Sequence, residues 1–118
     1  MKIAVYGTLK RNHYAHYLME GSEFLGEGKI IGYALYNDGL PVITPSPGSS
    51  VVCEVYDVTI PRMLSRLNRY EGYINSEHPK NLYNLIQLDV EGHTDVSVYV
   101  YNGLPSDDAE LIEDGVWK

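Results

Sequence analysis

One segment, Thr59 to Gly72, carries a full set of helix boundary signals, and the apolar stretches around it run mostly as strands. Thr59 is placed to cap the N-terminus, Pro61 is tolerated in a first turn where no intrahelical amide bond is lost, and Gly72 supplies a stop. Inside these limits Ile60, Leu64, Leu67 and Glu71 stand at offsets of four, seven and eleven, which puts them on one face. That face is expected to be the buried one, because Arg62, Arg66 and Arg69 lie mostly away from it.

Glu71 is the odd member of the stripe. Burying a carboxylate costs several kcal/mol unless it is neutralised, paired or hydrogen-bonded. Desolvation favours the neutral acid, and the negative end of the helix dipole disfavours an anion there, so both effects raise its pKa. A carboxyl brought toward neutrality is suited to take a proton in one step and return it in the next. The alternative is a helix-end glutamate that bends to solvent or bonds a backbone amide, and helix position alone does not choose between them.

Ile3 to Tyr6 form a short apolar run stopped by Gly7, as in a buried strand followed by a turn with free amides. His13 to Met19 fit a short helix capped by Asn12, with Gly21 beyond its end. Phe24 to Tyr36 mix β-formers with Gly26, Gly28 and Gly32, the pattern of long bent strands, and Asn37-Asp38-Gly39 marks a turn. Pro41, Pro45 and Pro47 followed by Gly48-Ser49-Ser50 predict an irregular loop. Val51 to Val58 alternate as a strand, with Glu54 compatible with an inward or an outward face. Leu82 to Val90 and Val96 to Tyr101 predict two more strands joined by a hairpin turn over residues 91–94.

The length, 118 residues, suits a single domain spanning 1–118. Sixteen acidic against nine basic residues give a net charge of −7, which would repel a phosphate backbone and argues against nucleic acid as a partner. Cys53 is the only cysteine, so no intrachain disulfide forms and a reducing, cytoplasmic setting is expected. No signal-peptide pattern opens the sequence, and no apolar run approaches the length of a membrane span. Eleven tyrosines against one phenylalanine and one tryptophan suit partly wet walls.

The order of several short motifs resembles the γ-glutamylcyclotransferase family, including its AIG2-like and γ-glutamylamine cyclotransferase branches. These are Tyr6-Gly7-Thr8-Leu9 after the first strand, Leu64 to Gly72 reading LSRLNRYEG, Tyr83 opening a strand, Val98-Tyr99-Val100, and Gly115-Val116-Trp117. The resemblance covers nearly the whole chain and implies an α+β fold, a small mixed β-barrel flanked by a few short helices. It implies that Glu71 is the catalytic acid/base, that Tyr6, Gly7, Thr8 and Leu9 line the substrate pocket with backbone amides, and that Tyr83 lies near it. The implied reaction cyclises a γ-glutamyl amine or amino acid to 5-oxoproline, and that chemistry requires neither metal nor cofactor. The sequence departs from the family pattern at Asn68, at Cys53 and in lacking an arginine after Tyr83. A non-catalytic module holding a small carboxylate on the same fold is the rival reading.

Other candidates have plainer explanations. His13 and His16 lack a third metal ligand nearby, and neither His78 nor His93 is placed beside a nucleophile. Cys53 suits a small buried hydrophobe, since nothing around it in sequence lowers its pKa. Asp107, Asp108, Glu110, Glu113 and Asp114 lack the spacing of a calcium loop and are expected as a solvated acidic face. Trp117 is expected to anchor the tail, or to border the pocket.

Overall fold

In the computed structural model, which describes residues 1–118, the short first strand β1 (Lys2–Val5) is buried on both faces. It can be so because it is flanked on both edges, antiparallel to β3 (Pro41–Asp57) and parallel to β5 (His93–Tyr101). From β5 the sheet continues antiparallel to β4 (Tyr83–Val90), which meets β2 (Glu23–Asn37) at Ile30 opposite Val90. The long antiparallel pairing of β2 with β3 closes these five strands into a mixed barrel. A sixth strand, β6 (Glu110–Ile112), adds to β2 outside that ring.

Strand alternation sorts the core into two layers. Ala4, Tyr6, Val51, Cys53, Val55, Val96 and Val98 belong to one buried cluster, whereas Ile3, Val5, Tyr56, Val58 and Tyr99 belong to a second. The second is covered by the single α-helix, α1 (Pro61–Glu71), through Met63 and Leu67, together with Leu18 and Met19 from a 3-10 turn over His16–Met19. The flanking helices therefore number one α-helix and one 3-10 turn.

Four sequence expectations are corrected by the structure. The N-cap of α1 is Ile60, not Thr59, and no side chain caps it. Pro61 takes the first helical position and drives its predecessor into extended geometry, φ −95°, so the cap falls one residue late. Standing outside the helix, Ile60 is 44% exposed, and Met63 takes the inward place the stripe assigned to it. The expected helix over residues 13–19 is only the 3-10 turn preceded by Ala15. Asn12 adopts φ +69°, which is incompatible with the extended cap geometry.

Residues 41–50 are not an irregular loop, since β3 runs through them. Pro41 and Pro45 pair with Asn37 and Tyr33, in a stretch of β3 that has β2 on one edge and no strand recorded on the other, where a missing amide is tolerated. The loop signal survives only locally. Ser46 to Ser49 have no partners in the β2 register, which jumps from Ile31 opposite Ser50 to Tyr33 opposite Pro45. β6 was not legible in the acidic tract, whose acids Asp107, Asp108, Glu110, Glu113 and Asp114 are all exposed as expected.

Candidate functional site

Where β1 ends, the chain leaves the sheet and turns back toward the 3-10 segment. Lys10 N–H donates to Gly7 C=O and Ala15 N–H to Thr8 C=O, which holds the turn by its carbonyls. The amides of Tyr6, Gly7, Thr8 and Leu9 donate to no acceptor in the protein. A row of unengaged backbone N–H groups is a site for an anion or a developing oxyanion. Gly7 is required there by close approach, because a Cβ on it would lie 2.5 Å from Pro41 Cγ.

The C-terminus of α1 faces the same space. Gly72 takes the left-handed conformation, φ +67°, and the amides of Gly72 and Tyr73 close the helix onto Arg69 and Asn68 carbonyls. This stop leaves Glu71 on the last turn, half-buried, beside a cavity of about 520 Å³. Its carboxyl has neither a hydrogen-bond nor an ion-pair partner, and no buried polar side-chain atom is left unsatisfied, so its oxygens open onto that cavity. Burial pushes its pKa up to about 7.

Tyr6, Tyr83 and Tyr99 form part of the surrounding wall, and their hydroxyls are directed elsewhere. Tyr6 Oη donates to Tyr99 C=O (2.6 Å), Tyr83 Oη to Pro41 C=O (2.6 Å), and Tyr99 Oη to Asn68 Oδ1 (2.6 Å). Burial, reinforced by the nearby Glu71 charge, raises the pKa of all three, so they stay neutral and present ring surface. Asn68 thus has a definite partner in Tyr99.

The structure brings every sequence-nominated site residue, Glu71, Tyr6, Gly7, Thr8, Leu9 and Tyr83, to this one cavity. Trp117 both packs on the barrel cluster and borders the cavity. Sequence reasoning missed Tyr14, Tyr70 and Leu82, which also line it. Tyr70 precedes Glu71 and could have been found from that adjacency, whereas nothing local marks Tyr14. His13 reaches the cavity as well, with its pKa lowered by burial and by the nearby Lys10 charge, while His16 Nδ1 is bound to Leu9 C=O. Glu54, whose facing was open, is buried and bound by Arg11 and Tyr56. Cys53 is fully buried, its thiol pushed up to about 12 by desolvation, as suits a packing residue.

A small mixed barrel with a carboxyl and unengaged amides around one cavity defines a class of small-ligand protein. The sequence pattern of the family Gamma-glutamyl cyclotransferase, AIG2-like, matches residues 3–118, and the chain belongs to that family. It is 41% identical over 71 residues to a Pyrococcus horikoshii protein, PH0828, provisionally named a gamma-glutamylcyclotransferase, and the match spans 60% of each chain. The crystal structure of PH0828 superposes with a TM-score of 0.80 at 29% identity, covering 98% of this chain and 88% of that one. The solution structure of Escherichia coli ytfP gives a TM-score of 0.66 at 30% identity over 99% and 96% of the two chains. A mouse AIG2-like protein gives 0.68 at 27% identity over 86% and 76%. No helix is long and apolar enough to cross a membrane.

Proposed function

We propose that this protein is a γ-glutamylcyclotransferase-like enzyme, acting on a γ-glutamyl amine or γ-glutamyl amino acid, with Glu71 as the proton carrier. The single observation that carries this reading is an unpartnered carboxyl with a pKa near 7, sharing a cavity with the unengaged amides of residues 6–9.

The substrate supplies its own nucleophile. Its α-nitrogen forms a bond to the γ-carbonyl carbon, closing a five-membered ring, and the bond from that carbon to the leaving nitrogen breaks. From the α-ammonium form, two protons leave the attacking nitrogen and two arrive on the departing one, so neither water nor a redox partner enters the balance. Glu71 carries a proton across: as carboxylate it takes one from the attacking nitrogen, and as acid it delivers one to the leaving nitrogen. The amides of residues 6–9 hold the oxyanion that forms between these steps, and the tyrosine walls hold the chain folded back on itself.

Incubation with a panel of γ-glutamyl amino acids and amines, assayed for 5-oxoproline, tests the reading. Release should fall by at least about a hundredfold in Glu71→Gln, since a lost general acid/base typically removes that much. Equal release by both proteins would exclude Glu71 as the carrier. Binding of γ-glutamyl compounds without any 5-oxoproline would leave the small-carboxylate-binding module as the better account.

A further inference from the structure

The walls of the cavity differ in character from floor to mouth. Ala4, Tyr6 and Leu9 are buried at the floor, whereas Tyr14, Leu82 and Tyr70 are 77%, 47% and 36% exposed at the rim. The two rim tyrosines are held in place by a chain of hydroxyls. Thr8 Oγ1 and Tyr70 Oη are 2.8 Å apart, and Tyr70 Oη donates to Tyr14 Oη at 3.2 Å. These contacts tie together three separate segments: the turn after β1, the end of α1 and the residues before the 3-10 turn. With their hydroxyls engaged with one another, the rings offer aromatic surface to whatever leaves the cavity.

The charges at the mouth disfavour one kind of leaving group. Besides Glu71, the ionisable cavity residues other than tyrosine are His13 and Lys118. Lys118 Nζ is bound to Asp114 at 2.8 Å, and His13 is held toward its neutral form by burial and by the Lys10 charge. The one charged cation on the cavity wall is thus Lys118, far out in solvent and already paired with Asp114, while no buried cation faces the cavity. A leaving amino acid would bring a carboxylate next to the scissile nitrogen, into a wall that already holds Glu71 on a chain of net charge −7. An amine brings none, and once protonated it is a cation facing tyrosine rings, which attract it.

We propose that the rim formed by Tyr14 and Tyr70 selects the leaving group, and that the substrates are γ-glutamyl amides of arylalkylamines, amines that carry an aromatic ring on an alkyl chain and lack a carboxylate. This rests on the cyclase reading, with the glutamyl part at the amide row and the departing amine at the mouth. The products are 5-oxoproline and the free arylalkylamine.

Three matched compounds test it: γ-glutamyl-phenethylamine, γ-glutamyl-phenylalanine, which adds only the carboxylate, and γ-glutamyl-ethylamine, which lacks only the ring. For the phenethyl compound, kcat/KM should exceed each of the others by about tenfold or more, the scale of one aromatic contact or one unpaired charge. Tyr14→Ala and Tyr70→Ala should each reduce the phenethyl-to-ethyl ratio several-fold, and Tyr14→Phe should keep it. Tyr14 is far enough into solvent that its truncation does not threaten the fold. A phenylalanine derivative turned over as well as the phenethyl compound, or an ethyl compound equal to it, would overturn the proposal while leaving the cyclase reading intact. So would a Lys118→Ala variant that slows only the phenylalanine derivative, because the mouth would then own a working carboxylate partner. Absence of 5-oxoproline from all three and from the wider panel would overturn the cyclase reading and this proposal with it.

Discussion

At Glu71 one titration acts on two properties in opposite senses. Its ordinary pKa is 4.5, and burial raises it to about 7 in the folded protein. Between these values the folded state holds a proton that the unfolded chain has released, so its stabilising contribution is complete below 4.5 and lost as pH rises through 7. Glu71→Gln should therefore gain stability over the native protein on going from pH 5 to pH 8. The gain should be roughly 2 kcal/mol, less than the full shift implies because the side chain still reaches solvent. Thermal melts at the two pH values check it, and a gap that does not widen would mean that the carboxyl is not held in a dry setting. Activity should move the other way, because the carboxylate is the form that accepts the first proton. A kcat/KM limb near pH 7 in the native protein is the expected result for the pKa of about 7.

The element that places Glu71 depends on where α1 stops. Gly72 has φ +67°, and a Cβ there would lie 2.9 Å from Leu82 Cβ, so Gly72→Ala meets both backbone strain and a packed side chain. Its expected cost is about 1–3 kcal/mol, measured by denaturant unfolding, and 5-oxoproline release should fall more than stability alone accounts for. Gly7→Ala should show the same pairing of effects, because its Cβ would push Pro41 from the amide row. Both glycines could be singled out from sequence, since a helix stop and a strand-ending turn are local signals. The helix end was legible for that reason, and the start slipped by one residue because Pro61 constrains Ile60 more strongly than a side-chain cap attracts Thr59. The prolines of β3 misled because a breaker signal does not say which edge of a strand is unpaired. That fact belongs to β2, in a separate stretch of the chain. Tyr14 was hidden for a related reason, as only tertiary contact with Tyr70 brings it to the cavity.

Across the whole molecule, the turn that carries the amide row is secured by Glu54 from β3. Glu54 Oε1 accepts from the Arg11 backbone amide and from Tyr56 Oη, both at 2.9 Å, while Oε2 faces Arg11 Nε at 3.4 Å. The Arg11 guanidinium also lies 4.3 Å from the Phe24 ring centroid, which links the turn to β2. A second tie is Lys10, buried, whose Nζ donates to Trp117 C=O at 2.9 Å and so draws the tail that borders the cavity onto the same turn. The two Arg11 contacts differ in worth. Its side chain is 49% exposed, so the ion pair is screened and Arg11→Ala should cost about 1 kcal/mol or less. Glu54→Ala strips partners from a backbone amide and a buried hydroxyl at once, and should cost about 2–4 kcal/mol. If the two variants unfold at the same denaturant midpoint, the exposed ion pair rather than the buried acceptor holds the turn. Glu54→Gln separates charge from hydrogen bonding, since its amide oxygen can still accept from both donors, and it should recover most of the stability lost in Glu54→Ala.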